Sequence, residues 1–240
     1  MPQKQKTSAG VSDLIGKRFI VMAVTAVVIV AIVVAVSFQP IVTSVNRIGG
    51  KYDATVTQCT DHIELTYTDE SGKHNSSNFD DALMQGLLWI NSSTPENATF
   101  LCWWDYGHMI KAVGERNVIV RNPSQEILSS IADPSGIKEF DLNSKIQDVA
   151  TALATTNKSQ TLEIMEKYNA TYIMVHKDDF VKSVWIFRIG GLNESKYVNG
   201  QGFTDMGSDT MIARLLDNRD TSLILVYHDE QMKIYQIPTS

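Results

Sequence analysis

Apolar and polar positions follow two periodicities along this chain, and each predicts one kind of element. Between residues 52 and 68, apolar and β-branched residues recur at about every second position, which predicts strands ahead of a turn at residues 69–73. Apolar runs at residues 98–102, 117–121 and 171–175 predict short buried strands. Apolar residues at helical spacing predict helices over residues 146–153 and 161–168, and one over residues 78–90 that is capped by Asn78.

The order of these elements predicts the fold class. Strands alternate with helices over most of the chain, and residues 222–227 and 232–237 have the pattern of a terminal hairpin. We therefore expect a mixed α/β (α+β) domain in which helices flank a small central sheet that ends in a C-terminal β-hairpin.

Residues 19–38 form an apolar segment without a charged residue. At 1.5 Å per residue a helix of this length spans about 30 Å, the thickness of the hydrocarbon core of a membrane. Residues 35–37 resemble a signal-peptidase site, but a cleaved signal peptide has a shorter apolar region. The pattern therefore favours a retained transmembrane helix.

This segment defines the predicted domain organisation. Residues 1–18 form a basic tail with a net charge of +3, which the positive-inside rule places in the cytoplasm. Residues 39–50 form a linker, and residues 51–240 form an extracytoplasmic domain. We expect a single-pass membrane protein whose C-terminal domain lies outside an archaeal cell or in an ER lumen, and the acidic, sequon-rich composition favours the archaeal exterior.

Charge and cysteine content limit the possible partners. The formal net charge is −6, and no stripe of Lys and Arg is present, so we expect no nucleic-acid partner. Two cysteines, Cys59 and Cys102, could form a disulfide outside the cytoplasm, although Cys102 is as well explained as a small core residue. Six Asn-x-Ser/Thr sequons follow the predicted anchor, which is compatible with a glycosylated face: Asn75, Asn91, Asn97, Asn157, Asn169 and Asn193.

The most distinctive stretch follows the predicted strand at residues 98–102. It consists of Trp103, Trp104, Asp105, Tyr106 and Gly107, and a helix is predicted to start at about residue 108. An indole N–H is a hydrogen-bond donor and an ionised carboxylate is an acceptor, so Trp and Asp side chains together can bind a small hydroxyl group. The alternative is a core corner in which the tryptophans pack and Asp105 caps the next helix.

A second stretch lies about 75 residues downstream, after the predicted strand at residues 171–175. Asp179 and Lys182 are three residues apart on a predicted helix and therefore lie on one face, where they could form an ordinary surface ion pair. Ile186 and Ile189 follow on the same helix.

Together the two stretches resemble motifs of the catalytic subunit of oligosaccharyltransferase. This family transfers a lipid-linked glycan to asparagine in Asn-x-Ser/Thr sequons. Residues 103–107 are similar to its WWDYG motif, and Asp179 and Lys182 match its Asp-x-x-Lys motif, which is followed by Ile or Met; both Ile186 and Ile189 fit a spacing of that motif. The resemblance covers residues 78–240 and one membrane span.

The resemblance implies a set of acceptor-peptide contacts. Trp103, Trp104 and Asp105 would bind the hydroxyl group of the Ser or Thr at the third position of the sequon, and one of the isoleucines would contact the threonine methyl. The implied peptide-binding residues are Trp103, Trp104, Asp105, Tyr106, Gly107, Asp179, Lys182, Ile186 and Ile189.

The chain departs from the complete family enzyme, which has many membrane spans and carries its catalytic carboxylates on external loops. No catalytic or metal-binding residue can be assigned here, so we expect no cofactor bound by this chain; the complete enzyme implies Mn²⁺ or Mg²⁺. The expected partners are an acceptor polypeptide, the membrane, and a multi-span portion that carries the metal and the lipid-linked glycan. The chain alone would then be inactive, and the alternative is a non-catalytic, anchored protein that binds sequons or sugars at the cell surface.

Overall fold

The computed structural model describes residues 42–48, 53–59, 63–69, 72–79, 81–121, 144–220 and 222–238. The predicted transmembrane helix, residues 19–38, lies outside these ranges. No helix in the described ranges combines the length and the apolar composition needed to cross a lipid bilayer. The chain divides into two units, Met1–Thr43 with Cys59–Asp61, and Ser44–Gln58 with His62–Ser240, and the site described below lies in the second.

A four-stranded sheet precedes the first described helix. Its strands follow one another in chain order: β1 (Val42–Ile48), β2 (Asp53–Cys59), β3 (Ile63–Asp69) and β4 (Gly72–Phe79). Strand β3 is antiparallel to both β2 and β4, and buried residues alternate with more exposed ones along β2 and β3, as the period of two requires. Strand β1 falls within residues 39–50, and the role of that stretch as a linker stays a prediction.

The first helix, α1, extends over Asp81–Ser93 and not from residue 78. Asn78 lies in β4, so the prediction that it caps this helix is wrong. The strand continues because residues 73–76 pair with β3, and this pairing outweighs the local capping preference of asparagine.

The central sheet has five strands, in the order β10-β11-β7-β5-β6. They are β5 (Thr99–Leu101), β6 (Asn117–Val118), β7 (Tyr172–His176), β10 (Ile224–His228) and β11 (Met232–Gln236). Strand β5 is parallel to β6 and β7, whereas β11 is antiparallel to β7 and β10. A separate two-stranded hairpin consists of β8 (Val198–Asn199) and β9 (Gly202–Phe203).

Helices connect and cover these strands. Helix α2 (Trp104–Met109) continues as a π-helical turn at Ile110–Gly114 and packs on α1. Helix α3 (Ser144–Ala154) packs on both α4 (Lys158–Lys167) and α5 (Asp179–Ile189), and a 3₁₀ turn at Glu194–Lys196 follows. The short helices α6 (Asp205–Ser208) and α7 (Met211–Leu216) complete the domain.

Burial in the central sheet follows the apolar pattern of the sequence. All five residues of β7 are buried, as is usual for a strand with neighbours on both sides and helices packed against it. The predicted mixed α/β fold with a central sheet, flanking helices and a C-terminal hairpin is thereby confirmed. The carboxyl ends of β5 and β7 lie side by side, because these two strands are parallel neighbours.

Candidate functional site

The two sequence motifs meet at the carboxyl ends of β5 and β7. Trp103 follows β5 after one residue, and Asp179 begins α5 after β7. Open α/β sheets commonly bind ligands beyond the carboxyl ends of adjacent parallel strands. The fold therefore brings together residues that are more than seventy positions apart in sequence.

The first motif forms the beginning of helix α2. Trp103 is extended and only 2% exposed, and the helix starts at Trp104, so the predicted start at residue 108 is wrong. Asp105 lies in the first turn, where a carboxylate interacts favourably with the positive end of a helix, but no side-chain cap is formed. The rings of Trp103 and Trp104 lie 6.1 Å apart, and the Trp104 side chain is only partly buried.

Gly107 is required by a close approach of the backbone. A Cβ atom at this position would lie 2.2 Å from the carbonyl oxygen of Val120 and 2.9 Å from the Cα atom of Arg121. The chain after β6 thus packs directly on the first turns of α2. This contact holds the helix start against the edge of the sheet.

Lys182 of α5 joins the two motifs. Its Nζ lies 2.7 Å from Asp105 Oδ2 and donates a 2.8 Å hydrogen bond to the phenol oxygen of Tyr106. The same nitrogen lies 4.2 Å from the centroid of the Tyr106 ring, within cation–π range. The Asp105 and Lys182 side chains are each 25% exposed, so the pair is accessible at the surface of the domain.

Three buried side-chain atoms around this site have no hydrogen-bond partner: Asp179 Oδ1 and two atoms of the first motif. The indole Nε1 of Trp104 and the Oδ1 atom of Asp105 are both buried and make no hydrogen bond within the protein. A buried polar group without a partner costs about 1–3 kcal/mol, so such atoms are rare outside functional sites. One is a donor and the other an acceptor, on adjacent residues of one helical turn.

Asp179 is a buried carboxylate beside this pair. It is fully buried, and its Oδ2 accepts a 2.9 Å hydrogen bond from the backbone N–H of His176, which fixes the connection between β7 and α5. Burial raises the pKa of Asp179 to about 7, and the negative charge of Asp105 adds to this effect, whereas the His176 N–H and Lys182 oppose it. The expected surface ion pair between Asp179 and Lys182 is wrong, because Lys182 turns to Asp105 and Asp179 lies in the interior.

Ile186 and Ile189 lie on the same face of α5 as Lys182, one and two turns further along. They are 0% and 2% exposed, and both belong to the hydrophobic core. Their contact with a threonine methyl stays a prediction, and the structure gives Ile186 the shorter distance along the helix from Lys182.

The structure adds His176, which sequence reasoning missed, and decides between the two interpretations of Cys102. His176 ends β7, its ring lies 5.2 Å from that of Tyr106, and its Nδ1 accepts a hydrogen bond from the N–H of Asp178. The sequence could have indicated His176, because it stands at the carboxyl end of an apolar run that predicts a strand. Cys102 is a buried free thiol whose pKa is raised by burial, so it acts as a core residue here and not as half of a disulfide with Cys59.

The described carboxylates and histidines around the site form no metal-binding group. Across the ranges that the structure describes, no three His, Cys, Asp or Glu side chains are grouped so that they could hold a metal ion. Asp105 and Asp179 have Lys182 beside them, and an ammonium group competes with a cation for carboxylates.

Comparison with known proteins gives relatives among glycosyltransferase subunits. No family model matches the chain. The dolichyl-diphosphooligosaccharide–protein glycosyltransferase subunit STT3B of Oryza sativa subsp. japonica is 31% identical over 144 residues, which are 54% of this chain and 18% of that protein. Subunit STT3 of Dictyostelium discoideum is 30% identical over 153 residues, or 58% and 19% of the two chains. The chain is homologous to these subunits.

The fold has a counterpart among solved structures. The C-terminal globular domain of an oligosaccharyltransferase from Archaeoglobus fulgidus superimposes with a TM-score of 0.53 and 19% identity, covering 67% of this chain and 99% of that domain. The likeness shows that the two share a fold. The chain spans only about a fifth of the length of the curated relatives that it matches.

Proposed function

We propose that this chain is an acceptor-binding part of an oligosaccharyltransferase, which recognises the Ser or Thr of an Asn-x-Ser/Thr sequon. One observation carries the proposal: Trp104 Nε1 and Asp105 Oδ1, on consecutive residues, are both buried and unpaired. A hydroxyl group has one proton to donate and lone pairs to accept with. It therefore satisfies both atoms at once, the indole donating to its oxygen and the carboxylate accepting its proton.

Lys182 prepares Asp105 for this contact. Its Nζ lies 2.7 Å from Oδ2, so the lysine contact takes up that oxygen and leaves Oδ1 for a ligand. The phenol of Tyr106 holds the lysine in place through the 2.8 Å hydrogen bond and the ring face. Hydrogen bonds to an ionised acceptor are stronger than neutral ones. Lys182 is thus a positioning residue, whereas Trp104 and Asp105 make the contact.

The same geometry explains rejection of peptides without a hydroxyl group. An Ala or Val at the third position of the sequon would bury Trp104 Nε1 and Asp105 Oδ1 without partners, at a cost of about 1–3 kcal/mol each. The Thr methyl contributes at most about 0.8 kcal/mol. Because Ile186 and Ile189 expose almost no surface, we predict a preference for Thr over Ser of no more than severalfold.

We propose that glycan transfer needs further parts of the family enzyme. Those parts are a multi-span portion with Mn²⁺ or Mg²⁺ and the lipid-linked glycan, and without them we expect this chain to bind acceptor but to transfer nothing. We also propose that residues 19–38 anchor the chain and that the domain acts on the extracytoplasmic side of the membrane.

The proposal is tested by calorimetric titration of the full 240-residue chain with three peptides that differ only at the third sequon position. Asn-x-Thr and Asn-x-Ser peptides should bind, Thr at least as tightly as Ser, and Asn-x-Ala should bind at least about tenfold more weakly. A Gln-x-Thr peptide serves as a control for the acceptor residue, since the hydroxyl contact alone should preserve most of its binding.

Two results contradict the proposal. Equal binding of the Thr, Ser and Ala peptides would show that the Trp104–Asp105 site does not recognise a hydroxyl group. Absence of binding by all peptides, together with a loss of folding stability in Trp104→Phe, would support the alternative in which the tryptophans only pack.

A further inference from the structure

A second cavity of about 400 Å³ opens at the same edge of the central sheet. It lies beyond the ends of β7 and β11, between the first turn of α5, the β8–β9 hairpin, the end of α7 and the turn between β10 and β11. Its volume falls at the lower end of the roughly 300–1,000 Å³ range of small-molecule sites. None of the atoms of the Trp104–Asp105 site lines it.

Two phenylalanine rings form one wall of the cavity. Phe180 and Phe203 meet edge to face, with their centroids 5.1 Å apart. Phe180 is 37% exposed, which is unusual for a phenylalanine in a domain with a large core. An accessible aromatic face offers a flat apolar platform to a ligand.

The opposite wall contains an acceptor atom without a partner. Gln231 Oε1 is buried and makes no hydrogen bond within the protein. The turn that carries it is rigid: Asp229 Oδ1 accepts from the N–H groups of Gln231 and Met232, and Asp229 Oδ2 accepts from the hydroxyl of Tyr227. These bonds fix the backbone at Gln231, and a donor on a bound molecule would satisfy its amide oxygen.

Charges of both signs line the mouth of the cavity. Lys177 contributes a donor, and Asp217 and Glu230 contribute acceptors. Within the described ranges, neither Lys177 nor Glu230 has an ion-pair partner. Lys177 would repel a cationic ligand, and the carboxylates would repel an anionic one. This lining therefore suits a neutral molecule that both donates and accepts hydrogen bonds.

We propose that this cavity is a carbohydrate-binding site for one or two neutral sugar units. A pyranose ring has one face of C–H groups, which stacks on an aromatic ring, and a rim of hydroxyl groups, which suit the amide of Gln231 and the charged side chains at the mouth. The site goes beyond the proposed peptide recognition and rests on different residues.

The position of the cavity gives it a functional context. The peptide site lies over the β5–β7 pair and the cavity over the β7–β11 pair, and adjacent strands are about 4.8 Å apart. A glycan held here would therefore lie beside a bound sequon. In the proposed transferase, that arrangement places sugar and acceptor on the same edge of the domain.

The experiment is a saturation-transfer NMR titration of the full chain in a sugar-free detergent with N-acetylglucosamine, mannose and maltose. At least one sugar should bind saturably in the millimolar range. Phe180→Ala should weaken it about threefold to tenfold through the lost ring face, and Gln231→Leu by a similar factor through the lost acceptor. Glu230→Gln, at an exposed position, provides a lining variant that does not disturb the fold.

Val181→Ala and Trp104→Phe are the controls. Val181 is 73% exposed, adjacent to Phe180 and outside the lining, so its variant should bind sugar normally. Trp104→Phe should lose sequon binding and keep sugar binding, which separates failure of this proposal from failure of the peptide site. Three results would overturn the carbohydrate proposal. One is the absence of saturable sugar binding, and another is sugar binding that neither Phe180→Ala nor Gln231→Leu weakens. The third is tighter binding of N-acetyl-lysine amide than of any sugar.

Discussion

The domain contains two clusters with the same three side-chain types, and they differ in what they leave unpaired. In the first, Lys182 contacts Asp105 and Tyr106; in the second, Lys167 contacts Asp148, which also accepts from Tyr168. Both ion pairs measure 2.7 Å, and both aspartate side chains are 25% exposed. Distance and exposure of the aspartates therefore do not separate a structural contact from a candidate site.

The difference lies in the surroundings of each lysine and tyrosine. Lys167 is 55% exposed and Lys182 only 25%, and Tyr106 is buried whereas Tyr168 is half-buried. The Oδ2 atom of Asp148 accepts both hydrogen bonds, and its Oδ1 atom is not a buried atom without a partner. The Oδ1 atom of Asp105, in contrast, is buried and has no partner. An ion pair marks a binding site when it leaves a buried atom for a ligand to satisfy.

The largest expected effect concerns the extra buried carboxylate beside the first cluster. Because burial raises the pKa of Asp179 from its ordinary value of 3.8 to about 7 in the folded chain, folding takes up a proton between these pH values. Stability from this group is therefore present below pH 4 and is lost as pH rises to 7, by up to about 4 kcal/mol. Urea denaturation at pH 4 to 8 should show the Asp179→Asn variant gaining stability over the wild type as pH rises.

The matched control for this prediction is Asp148→Asn. Between pH 4 and 8, this variant should not gain free energy of unfolding over the wild type as Asp179→Asn does. A constant difference between Asp179→Asn and the wild type at all pH values would show that Asp179 titrates normally. The electrostatic contrast between the two clusters would then be lost.

The next effect is steric and is confined to the first cluster. Gly107→Ala forces a Cβ against the Val120 carbonyl at 2.2 Å, and we expect a loss of about 1–3 kcal/mol or more in the free energy of unfolding. Gly200→Ala, where no atom lies within 4 Å of the added Cβ, should be nearly neutral. Equal unfolding midpoints for the two variants would contradict the packing described around α2.

Acceptor binding should distinguish the two aspartates directly. Asp105→Asn replaces a charge-assisted acceptor with a neutral amide and releases Lys182, so Asn-x-Thr peptide affinity should fall about tenfold or more. Asp148→Asn should leave it unchanged. If both variants bound the peptide equally well in calorimetry, the carboxylate of Asp105 would have no role in recognition.

The smallest effects are expected for the two lysines. Lys182→Met leaves the partly buried Asp105 without its cation and should lower the free energy of unfolding by about 1 kcal/mol. Lys167→Met should leave the unfolding midpoint within experimental error, because its lysine is exposed to solvent. A larger loss for Lys167→Met would reverse the ranking of the two clusters.

Periodicity predicted much of the fold because burial follows it closely here. The buried strand before His176, the amphipathic helix α3 and the terminal hairpin all occur where apolar spacing placed them. A local preference failed where strand pairing opposed it, because Asn78 continues a strand that pairs with β3.

The site was predicted in composition but not in arrangement. The sequence indicated that Trp104 and Asp105 suit a hydroxyl group, since that depends only on side-chain chemistry. It could not show that Lys182 turns away from Asp179, three residues before it, to reach Asp105 across the strand ends. That choice depends on the parallel pairing of β5 and β7, which no local pattern specifies.

The central claim is that the indole N–H of Trp104 and the peptide hydroxyl group contact each other, and a double-mutant cycle tests it most directly. Affinities are measured for wild type and Trp104→Phe with Asn-x-Thr and Asn-x-Val peptides, with Trp89→Phe as the matched control. The account predicts that replacing Thr by Val weakens binding about tenfold or more in the wild type and in Trp89→Phe, and much less in Trp104→Phe. An equal loss in all three proteins would contradict it.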